Sequence, residues 1–392
     1  MLSGCTISIN RHLRPNSRMI LHPDSSSTHG YRFFLPSAAR RFLTFQHGQE
    51  VVFACPNGLY ERAQCNTGDT FNFPSLARDF NISQIICRRP LRATVRNYGK
   101  CYNSEYKHLG IGLTVRQNQS TKEFIKLVDI CFDPQHRASV YAKFTLMQGI
   151  DNGQRTVNRR NFTCTPYFEY STKTFDELYT RENQYTALLK LIGSANQTVK
   201  FISRNVSSDL YLTKGHLVAV KDFVYNSQQQ VTLFCVNTAP MWHGIRKGNW
   251  RRLENSIRQY ANSKGKDLTV YTGTYGVLNL PHVNGSSVQI YLDAGRNGHN
   301  FLPVPRLFWK LVYDRLTRQG IVFLAINNHH KGLNPEDYKL CPDVCNRTQS
   351  WFAGWDRHQI SLGYVYCCNI RAFLARTNVM PEFRDHVFGL LT

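Results

Sequence analysis

The stretch that decides the fold reads YLTKGHLVA at residues 211–219, VTLFCVNTAP at residues 231–240 and RKGNWRRLE at residues 246–254. These three pieces predict a strand that ends at Gly215-His216, a return strand that ends at Asn237, and a helix that carries Glu254. Such a unit gathers an imidazole, an amide and a carboxylate around one spot. Hydrolysis of a phosphodiester by a histidine base and a hydrated metal ion uses groups of these kinds.

The helix of this unit is the clearest in the chain and is predicted from about residue 247 to about residue 262. Its apolar residues fall on one stripe, and arginines lie off the stripe, as is typical of a helix packed against a core. The stripe consists of Trp250, Leu253, Ile257 and Tyr260. A second helical pattern covers residues 174–191.

Short β-prone runs recur on both sides of this unit and resemble the strands of one mostly antiparallel sheet. They lie at residues 111–115, 124–128, 139–141, 231–235, 268–271, 288–292 and 320–326. Helices and strands do not alternate regularly, which favours an α+β fold over a doubly wound sheet. Residues 1–104 are dense in Cys, Arg and Pro and predict a small β-rich domain, so the large domain takes residues 105–392.

The charge of the chain bears on its partners. Lys and Arg number 48 against 26 Asp and Glu, which gives a formal net charge of +22 over 392 residues. This excess favours polyanions such as nucleic acid, heparin-like glycans and anionic membrane surfaces, and disfavours cationic ligands. Alternatively, the charge only keeps a secreted protein soluble.

Cysteines and glycosylation sequons indicate the secretory pathway. The chain has 12 Cys and seven Asn-x-Ser/Thr tripeptides, at Asn81, Asn118, Asn161, Asn196, Asn205, Asn284 and Asn346. Both features are typical of extracellular glycoproteins that fold in an oxidising compartment. No apolar run is long enough to cross a bilayer, and the first residues lack the apolar stretch of a signal peptide. We therefore expect a mature, disulfide-bonded, secreted protein with no membrane partner.

The stretch at residues 211–254 resembles the ββα-metal (His-Me finger) active site of the DNA/RNA non-specific endonuclease family, in its secreted arthropod branch. That family's motif has the form Asp-Arg-Gly-His-Leu, then Asn-x-x-Pro, then Asn-x-Gly-x-Trp-x-x-Leu-Glu. Three later blocks also match, namely YTGTYGV at residues 271–277, VPRLFWK at 304–310 and GYVYCC at 363–368. The resemblance covers roughly residues 105–392 and implies a nuclease fold.

The resemblance also implies roles for single residues. His216 matches the general base that takes a proton from the attacking water, Asn237 the amide beside the scissile phosphate, and Glu254 the carboxylate that holds metal-bound water. Arg159 or Arg160 matches, more loosely, an arginine that clamps the phosphate.

Two departures from the motif bear on function. Thr213-Lys214 stands where the family has Asp-Arg, and Arg246 stands where the family has its asparagine metal ligand, eight positions before Glu254. A guanidinium has no lone pair to donate, and at ~4 Å it would repel a divalent ion by ~8 kcal/mol at an effective dielectric of ~20. It does bind phosphate oxygens bidentately. Asn249, in the same turn, is the second candidate for a metal ligand.

These residues support three hypotheses. The first is a sequence-non-specific DNA- and RNA-binding protein with little or no nuclease activity, which needs no cofactor to bind and uses Lys214, Arg246, Arg159, Arg160, Lys247 and Arg251. Altered sites of this kind resemble those of tsetse salivary proteins, a branch of the family that binds nucleic acid and cuts it poorly. The second is a working Mg²⁺-dependent endonuclease. The third is a binder of sulfated glycans through charge alone.

Two further patterns were weighed as metal sites. Cys341, Cys345 and the pair Cys367-Cys368 imitate a zinc cluster, but disulfides fit a secreted chain better. His329-His330 could act as ligands, but the sequence favours an exposed loop.

Overall fold

Two β-sheets organise the described part of the chain. The computed structural model describes residues 4–13, 16–23, 31–36, 42–56, 58, 60–89, 92–116, 120, 122–153, 162–168, 173–294, 300–330, 332–380, 383 and 387–392. The first sheet lies in the N-terminal region, and the second carries the ββα unit on one of its faces.

The N-terminal strands form a six-stranded antiparallel sheet in the order β3-β2-β5-β6-β7-β8, with β1 and β4 paired separately. Phenylalanines of these strands alternate into a shared core, and the disulfides Cys5–Cys65 and Cys55–Cys87 tie the layers together. The strands are β1 (Cys5–Ser8), β2 (Met19–Pro23), β3 (Tyr31–Phe33), β4 (Phe42–Phe45), β5 (Glu50–Ala54), β6 (Tyr60–Thr67), β7 (Thr70–Phe73) and β8 (Arg78–Asn81).

The remaining strands are β9 (Thr94–Lys100), β10 (Lys107–Arg116), β11 (Lys122–Asp133), β12 (Ala138–Leu146), β13 (Leu212–His216), β14 (Thr238–Trp242), β15 (Leu268–Val277), β16 (Asn279–Pro281), β17 (Ser287–Gln289), β18 (Tyr291–Ala294), β19 (Asn300–Pro303), β20 (Pro305–Asp314), β21 (Gln319–Ile326), β22 (Val365–Cys368) and β23 (Gly389–Leu390). The large sheet has the order β22-β21-β20-β15-β12-β11-β10-β9, and β23 pairs with β21. Every pair on this path is antiparallel except β21 with β23. The predicted α+β class with a mostly antiparallel sheet is confirmed.

The helices are short apart from two. They are α1 (Phe175–Leu178), α2 (Arg181–Ile192), α3 (Ala195–Thr198), α4 (Asn226–Gln229), α5 (His243–Ile245), α6 (Arg251–Lys264) and α7 (Ile370–Thr377). Further 3₁₀ turns lie at Pro74–Leu76, Ile82–Gln84, Ile150–Asn152, Val220–Asp222, Gln230–Thr232, Cys235–Asn237, Pro335–Tyr338, Cys345–Arg347, Gln349–Phe352 and Ile360–Leu362. The pattern at residues 174–191 thus forms two helices, because Thr180 leaves the helical conformation and caps the second one.

The two faces of the large sheet have different environments. Ile130, Ala142, Thr272 and Lys310 are register partners on neighbouring strands and therefore point to one face. This face packs into a core shared with the N-terminal sheet and the ββα unit. On the opposite face, α7 packs against the β20 end, where Trp309 meets Phe373.

Two predicted boundaries differ from the structure. Strand β9, at residues 94–100, pairs with β10 in the large sheet, although the sequence placed those residues in the N-terminal domain. The return strand predicted to end at Asn237 is wrong, because 3₁₀ turns occupy Gln230–Thr232 and Cys235–Asn237 and the strand is Thr238–Trp242. Pro240 of this strand lies in register with Lys214 in a two-stranded ribbon that needs no ladder bond from its missing N–H.

Candidate functional site

The site is built on the hairpin of β13 and β14. His216, at the end of β13, pairs in register with Thr238. Gly215 is required for the close approach of the two strands, because a Cβ there would lie 2.8 Å from the Cβ of Met241. The buried Asn327 side chain fastens the hairpin to the large sheet, since its Nδ2 donates to the carbonyls of Pro240 and Pro305 and its Oδ1 accepts from the Trp242 amide.

The helix that carries Glu254 begins in two steps. A π-helical turn, Arg246–Trp250, joins α5 to α6, and Gly248 leaves the helical conformation with ψ −126°. A Cβ at Gly248 would lie 2.6 Å from the Leu362 carbonyl oxygen, so the loop packed there requires glycine. The regular helix therefore begins at Arg251, later than the sequence predicted, and Glu254 lies in its first turn.

The hairpin and α6 enclose a cavity of about 760 Å³. Among the described residues, six cationic side chains and one carboxylate line it. The cations are Lys214, Lys221, Arg246, Lys247, Arg251 and Arg258, and the carboxylate is Glu254. The structure thus brings His216, Glu254, Arg246, Lys214, Lys247 and Arg251 to one cavity. Arg159 and Arg160 lie outside the described residues, and the chain that follows them borders the cavity at Phe162.

His216 stands at the cavity wall, half-buried, with its ring 5.4 Å from that of Phe162. The segment that carries Phe162 is held in place by the next two residues. The Thr163 amide donates to the Leu233 carbonyl, the Thr163 carbonyl accepts from the Cys235 amide, and a disulfide joins Cys164 to Cys235. The imidazole of His216 and the carboxylate of Glu254 therefore line the same cavity.

Charged groups surround Glu254 in a largely desolvated setting. Burial raises the pKa of Glu254, and the neighbouring Asp222 adds to that effect, while Lys310, Arg258 and Arg246 oppose it. Arg258, one turn further along α6, donates to Asp222 at 2.5 Å, and both side chains are almost completely buried. The ion pair keeps Asp222 from acting as a second free carboxylate beside Glu254.

Lys310 is a buried cation that sequence reasoning missed. It is 2% exposed in the middle of β20, and burial lowers its pKa, opposed by Asp222 and Glu254. Its Nζ donates to Thr272 and lies 5.2 Å from the ring of Trp250. A lysine at an inward-facing position of a central strand is the signal that could have found it, because such a group needs buried partners.

Lys214 is held in an aromatic cage. Its ammonium pairs with the Asp176 carboxylate and lies 4.8 Å from the ring of Phe162, 5.4 Å from that of Phe175 and 5.6 Å from that of Tyr179. The side chain is 18% exposed, whereas that of Asp176 is 65% exposed. Asp176 therefore partly neutralises the positive charge that Lys214 presents to the cavity.

Two candidate asparagines, Asn237 and Asn249, are buried and hydrogen-bonded to the backbone. Asn237 is buried, donates to the carbonyls of Val218 and Thr232 and accepts from the Val218 amide, so its amide shapes the loop and does not line the cavity. Asn249 is also buried and donates to the carbonyls of Asp356 and Gly363. Both Nδ2 groups are committed to backbone carbonyls, and neither side chain lines the cavity.

The contacts of the cysteines and of His329 show what the other two candidate metal-binding patterns do in the fold. Cys341 pairs with Cys368 and Cys345 with Cys367, so these thiols form disulfides as expected. The predicted loop at His329-His330 is present and His330 is exposed, but His329 is only partly exposed. His329 packs edge-on against Trp242 at 4.5 Å, and burial lowers its pKa to about 4.

Comparison with known proteins places this arrangement in a family. A model of the DNA/RNA non-specific endonuclease family matches residues 109–373, which include the whole ββα unit. The chain belongs to the DNA/RNA non-specific endonuclease family. The match begins within β10, so the N-terminal sheet lies outside the family domain.

Relatives of this endonuclease-family chain come from the saliva of biting flies. A salivary endonuclease of Lutzomyia longipalpis is 27% identical over 86% of this chain and 75% of its own length. Salivary protein Tsal2A of Glossina morsitans morsitans is 24% identical over 100% of this chain and 95% of its own. Salivary protein Tsal1 of the same fly is 24% identical over 65% of this chain and 60% of its own. The arthropod salivary branch implied by the motif is confirmed.

The endonuclease family is typically magnesium-dependent. Mg²⁺ takes oxygen ligands in near-octahedral geometry, mostly carboxylates and waters. Among the described residues lining the cavity, Glu254 supplies the single carboxylate, and Arg246, which the sequence was expected to place at the ligand position of the motif, supplies a cation. Asn249, the second candidate, points to the 356–363 loop. This donor set does not fit a magnesium ion held in the manner of the motif.

In the described part of the endonuclease-family chain, no helix is both long and apolar enough to cross a bilayer.

Proposed function

We propose that this chain is a sequence-non-specific DNA- and RNA-binding protein, built on the endonuclease scaffold, with weak or no phosphodiesterase activity. The observation that supports it most is the charge of the cavity, where Arg246 and five other cations face a single carboxylate. A phosphodiester carries one negative charge per nucleotide and suits such a surface.

The same charges disfavour cutting. Arg246 adds a fixed positive charge near Glu254, whereas Arg258 behind it is paired with Asp222 and burial lowers the pKa of Lys310. A divalent cation that approaches Glu254 is therefore repelled mainly by Arg246. The backbone phosphate is attracted by the six cations and repelled by Glu254 alone among the described lining residues, so the site favours holding the strand over hydrolysing it.

Indifference to sequence follows from the groups involved. Lysine and arginine contacts to phosphate carry no base information, and the phosphate is common to DNA and RNA. If about six phosphates are contacted, affinity should fall about 10³-fold or more between ~50 and ~200 mM salt.

Fluorescence anisotropy in EDTA tests this proposal. Labelled duplexes of unrelated sequence, one DNA and one RNA, should bind within a few-fold of one another and show a steep loss of affinity with salt. Arg251→Gln should weaken binding and flatten the salt slope by about one. Arg78→Gln, an exposed arginine of the N-terminal sheet, is the matched control and should leave both unchanged. A flat salt response, or tighter binding of heparin than of duplex DNA at matched salt, contradicts the proposal.

An active, metal-dependent endonuclease is the second candidate. It is favoured by two observations, namely that His216 and Glu254 line the same cavity and that one relative is named a salivary endonuclease. In that case His216 would act as the general base. Rapid Mg²⁺-dependent degradation of DNA by the wild-type chain would favour this candidate over the first.

Secretion into saliva is part of the proposal. It rests on six disulfides and on salivary relatives from two genera of flies. Five of the sequon asparagines lie in the described residues, and four of these, Asn196, Asn205, Asn284 and Asn346, are exposed. Glycan-specific digestion followed by mass spectrometry should find N-glycans on exposed sequons of the secreted protein.

A further inference from the structure

The face of the large sheet that points away from the cavity is basic over β9 to β12. Arg96, Gly110, Asp129 and Lys143 are register partners across these four strands and lie in one row on that face. Thr94 and Lys126 both pair with Gly112 and extend the face. Exposure is high at the edge, since every residue of β9 from Arg96 to Lys100 is exposed.

An exposed aromatic ring lies within this surface. Tyr98 is 46% exposed, and the absence of a side chain at Gly110 makes room for its ring, because a Cβ there would lie 2.5 Å from the Tyr98 Cε2. The ammonium of Lys126 lies 4.8 Å from the ring centroid, and the His108 ring lies 5.6 Å away. Tyr98 is thus a supported ring flanked by a lysine and a histidine at the edge of the sheet.

The charges of this surface are mostly positive. Arg96, Lys122, Lys126 and Lys143 point to it, whereas the acidic side chains that the register places there among the described residues of β9 to β12 are Asp129 and, at the far end of β11, Asp133. Asp129 accepts from both His108 and Lys126, so it is locally balanced. Arg96 lies 4.1 Å from the ring centroid of Phe124 and is itself exposed.

We propose that this face is a second nucleic-acid site, which binds a single strand by stacking a base on Tyr98 while Arg96, Lys126 and Lys143 contact its phosphates. Every base has a π-face, and an aromatic ring among cations binds single strands with little regard to sequence. A duplex keeps its bases stacked internally and gains nothing from the ring. The inference rests on the proposed function, since it assumes that the chain binds nucleic acid, and it adds a preference for unpaired segments on the opposite side of the molecule.

The test compares a labelled oligothymidylate with a labelled duplex in EDTA, by anisotropy, for the full chain. All compared variants also carry Arg246→Glu and Arg251→Glu, which weaken the binding of nucleic acid in the cavity. In this background Tyr98→Ala should reduce affinity for the single strand about 5- to 100-fold and leave the duplex within two-fold. Tyr98→Phe should restore the affinity, because it keeps the ring. Lys126→Gln should lower the salt slope for the single strand by about 0.7.

Phe42→Ala is the matched control, because Phe42 is 44% exposed on β4 of the N-terminal region. Equal single-strand affinity of the Tyr98→Ala and Phe42→Ala variants would overturn the second site while leaving the cavity proposal in place. If the wild-type chain binds neither oligonucleotide, the proposed function fails and this inference fails with it. Photocrosslinking of 5-iodouracil-containing oligonucleotide to Tyr98, mapped by mass spectrometry, would support the site directly.

Discussion

Replacing Arg246 by asparagine should increase magnesium-dependent cleavage. Arg246 lines the cavity, and its charge acts on Glu254. The Arg246 guanidinium would therefore repel a cation bound to the Glu254 carboxylate. The substitution removes one of the six cations and supplies an amide oxygen at the position of the motif ligand. His216 and Glu254 stay unchanged at the cavity wall.

The magnitude follows from the electrostatics. A unit positive charge at ~4 Å opposes a divalent ion by ~8 kcal/mol at an effective dielectric of ~20. Solvent in the open cavity reduces this strongly, and even a quarter of it, ~2 kcal/mol, corresponds to ~30-fold in affinity for Mg²⁺. At limiting Mg²⁺ the cleavage rate of Arg246→Asn should therefore exceed that of wild type by at least about ten-fold.

Nicking of supercoiled plasmid over a Mg²⁺ titration measures this effect. Arg251→Asn is the matched control, because it removes one cation from the same cavity without changing the ligand position. It should leave the Mg²⁺ dependence near that of wild type. Equal cleavage by Arg246→Asn, Arg251→Asn and wild type would refute the reasoning, because Arg246 would then not be the residue that weakens Mg²⁺ binding.

Three further outcomes are expected. Asn249→Ala should lower the free energy of unfolding by about 1–3 kcal/mol in urea denaturation, because the buried carbonyl of Gly363 and the partly buried carbonyl of Asp356 lose their donor. It should leave any Mg²⁺ dependence unchanged, and a loss of metal dependence at wild-type stability would instead make Asn249 a ligand. Glu254→Gln should raise the melting temperature at neutral pH. The pKa of Glu254 is raised, so the folded state holds the carboxyl proton more tightly than the unfolded state. The wild-type protein therefore loses stability as pH rises from the ordinary pKa of 4.5 through the raised value, and the advantage of Glu254→Gln should vanish below pH 4.5. A difference in melting temperature that does not change with pH would contradict this. Asp176→Asn should tighten duplex binding about two- to five-fold in anisotropy, since Lys214 loses its exposed partner, and unchanged affinity would show that Lys214 does not meet the strand.

The register of the ββα unit could be predicted from sequence because glycines and aromatic residues fix it locally. Gly215 and Gly248 are each required by a close backbone approach, and Trp250 is buried within the motif. These constraints placed His216 and Glu254 at one cavity. The strand at Thr238–Trp242 was not predicted, because all five of its residues are buried and its sequence shows no alternation of apolar and polar side chains.

The electrostatic setting of the site could not be predicted, because it depends on contacts distant in sequence. Arg258 and Asp222 are 36 residues apart, and Lys310 reaches Glu254 from the central sheet. The same limit applies to Asn237 and Asn249. Their residue type fits a catalytic amide as well as a buried structural one, and the hydrogen bonds to distant carbonyls decide between the two.

The most direct test of binding without cutting is one gel of supercoiled plasmid incubated with the wild-type chain, with Mg²⁺ in one set of lanes and EDTA in the other. Binding through the cations of the cavity predicts a mobility shift that persists in EDTA and a plasmid that stays uncut in Mg²⁺ after the protein is removed by protease and detergent. Rapid Mg²⁺-dependent conversion to nicked and linear forms would contradict it and make the chain a working nuclease despite Arg246.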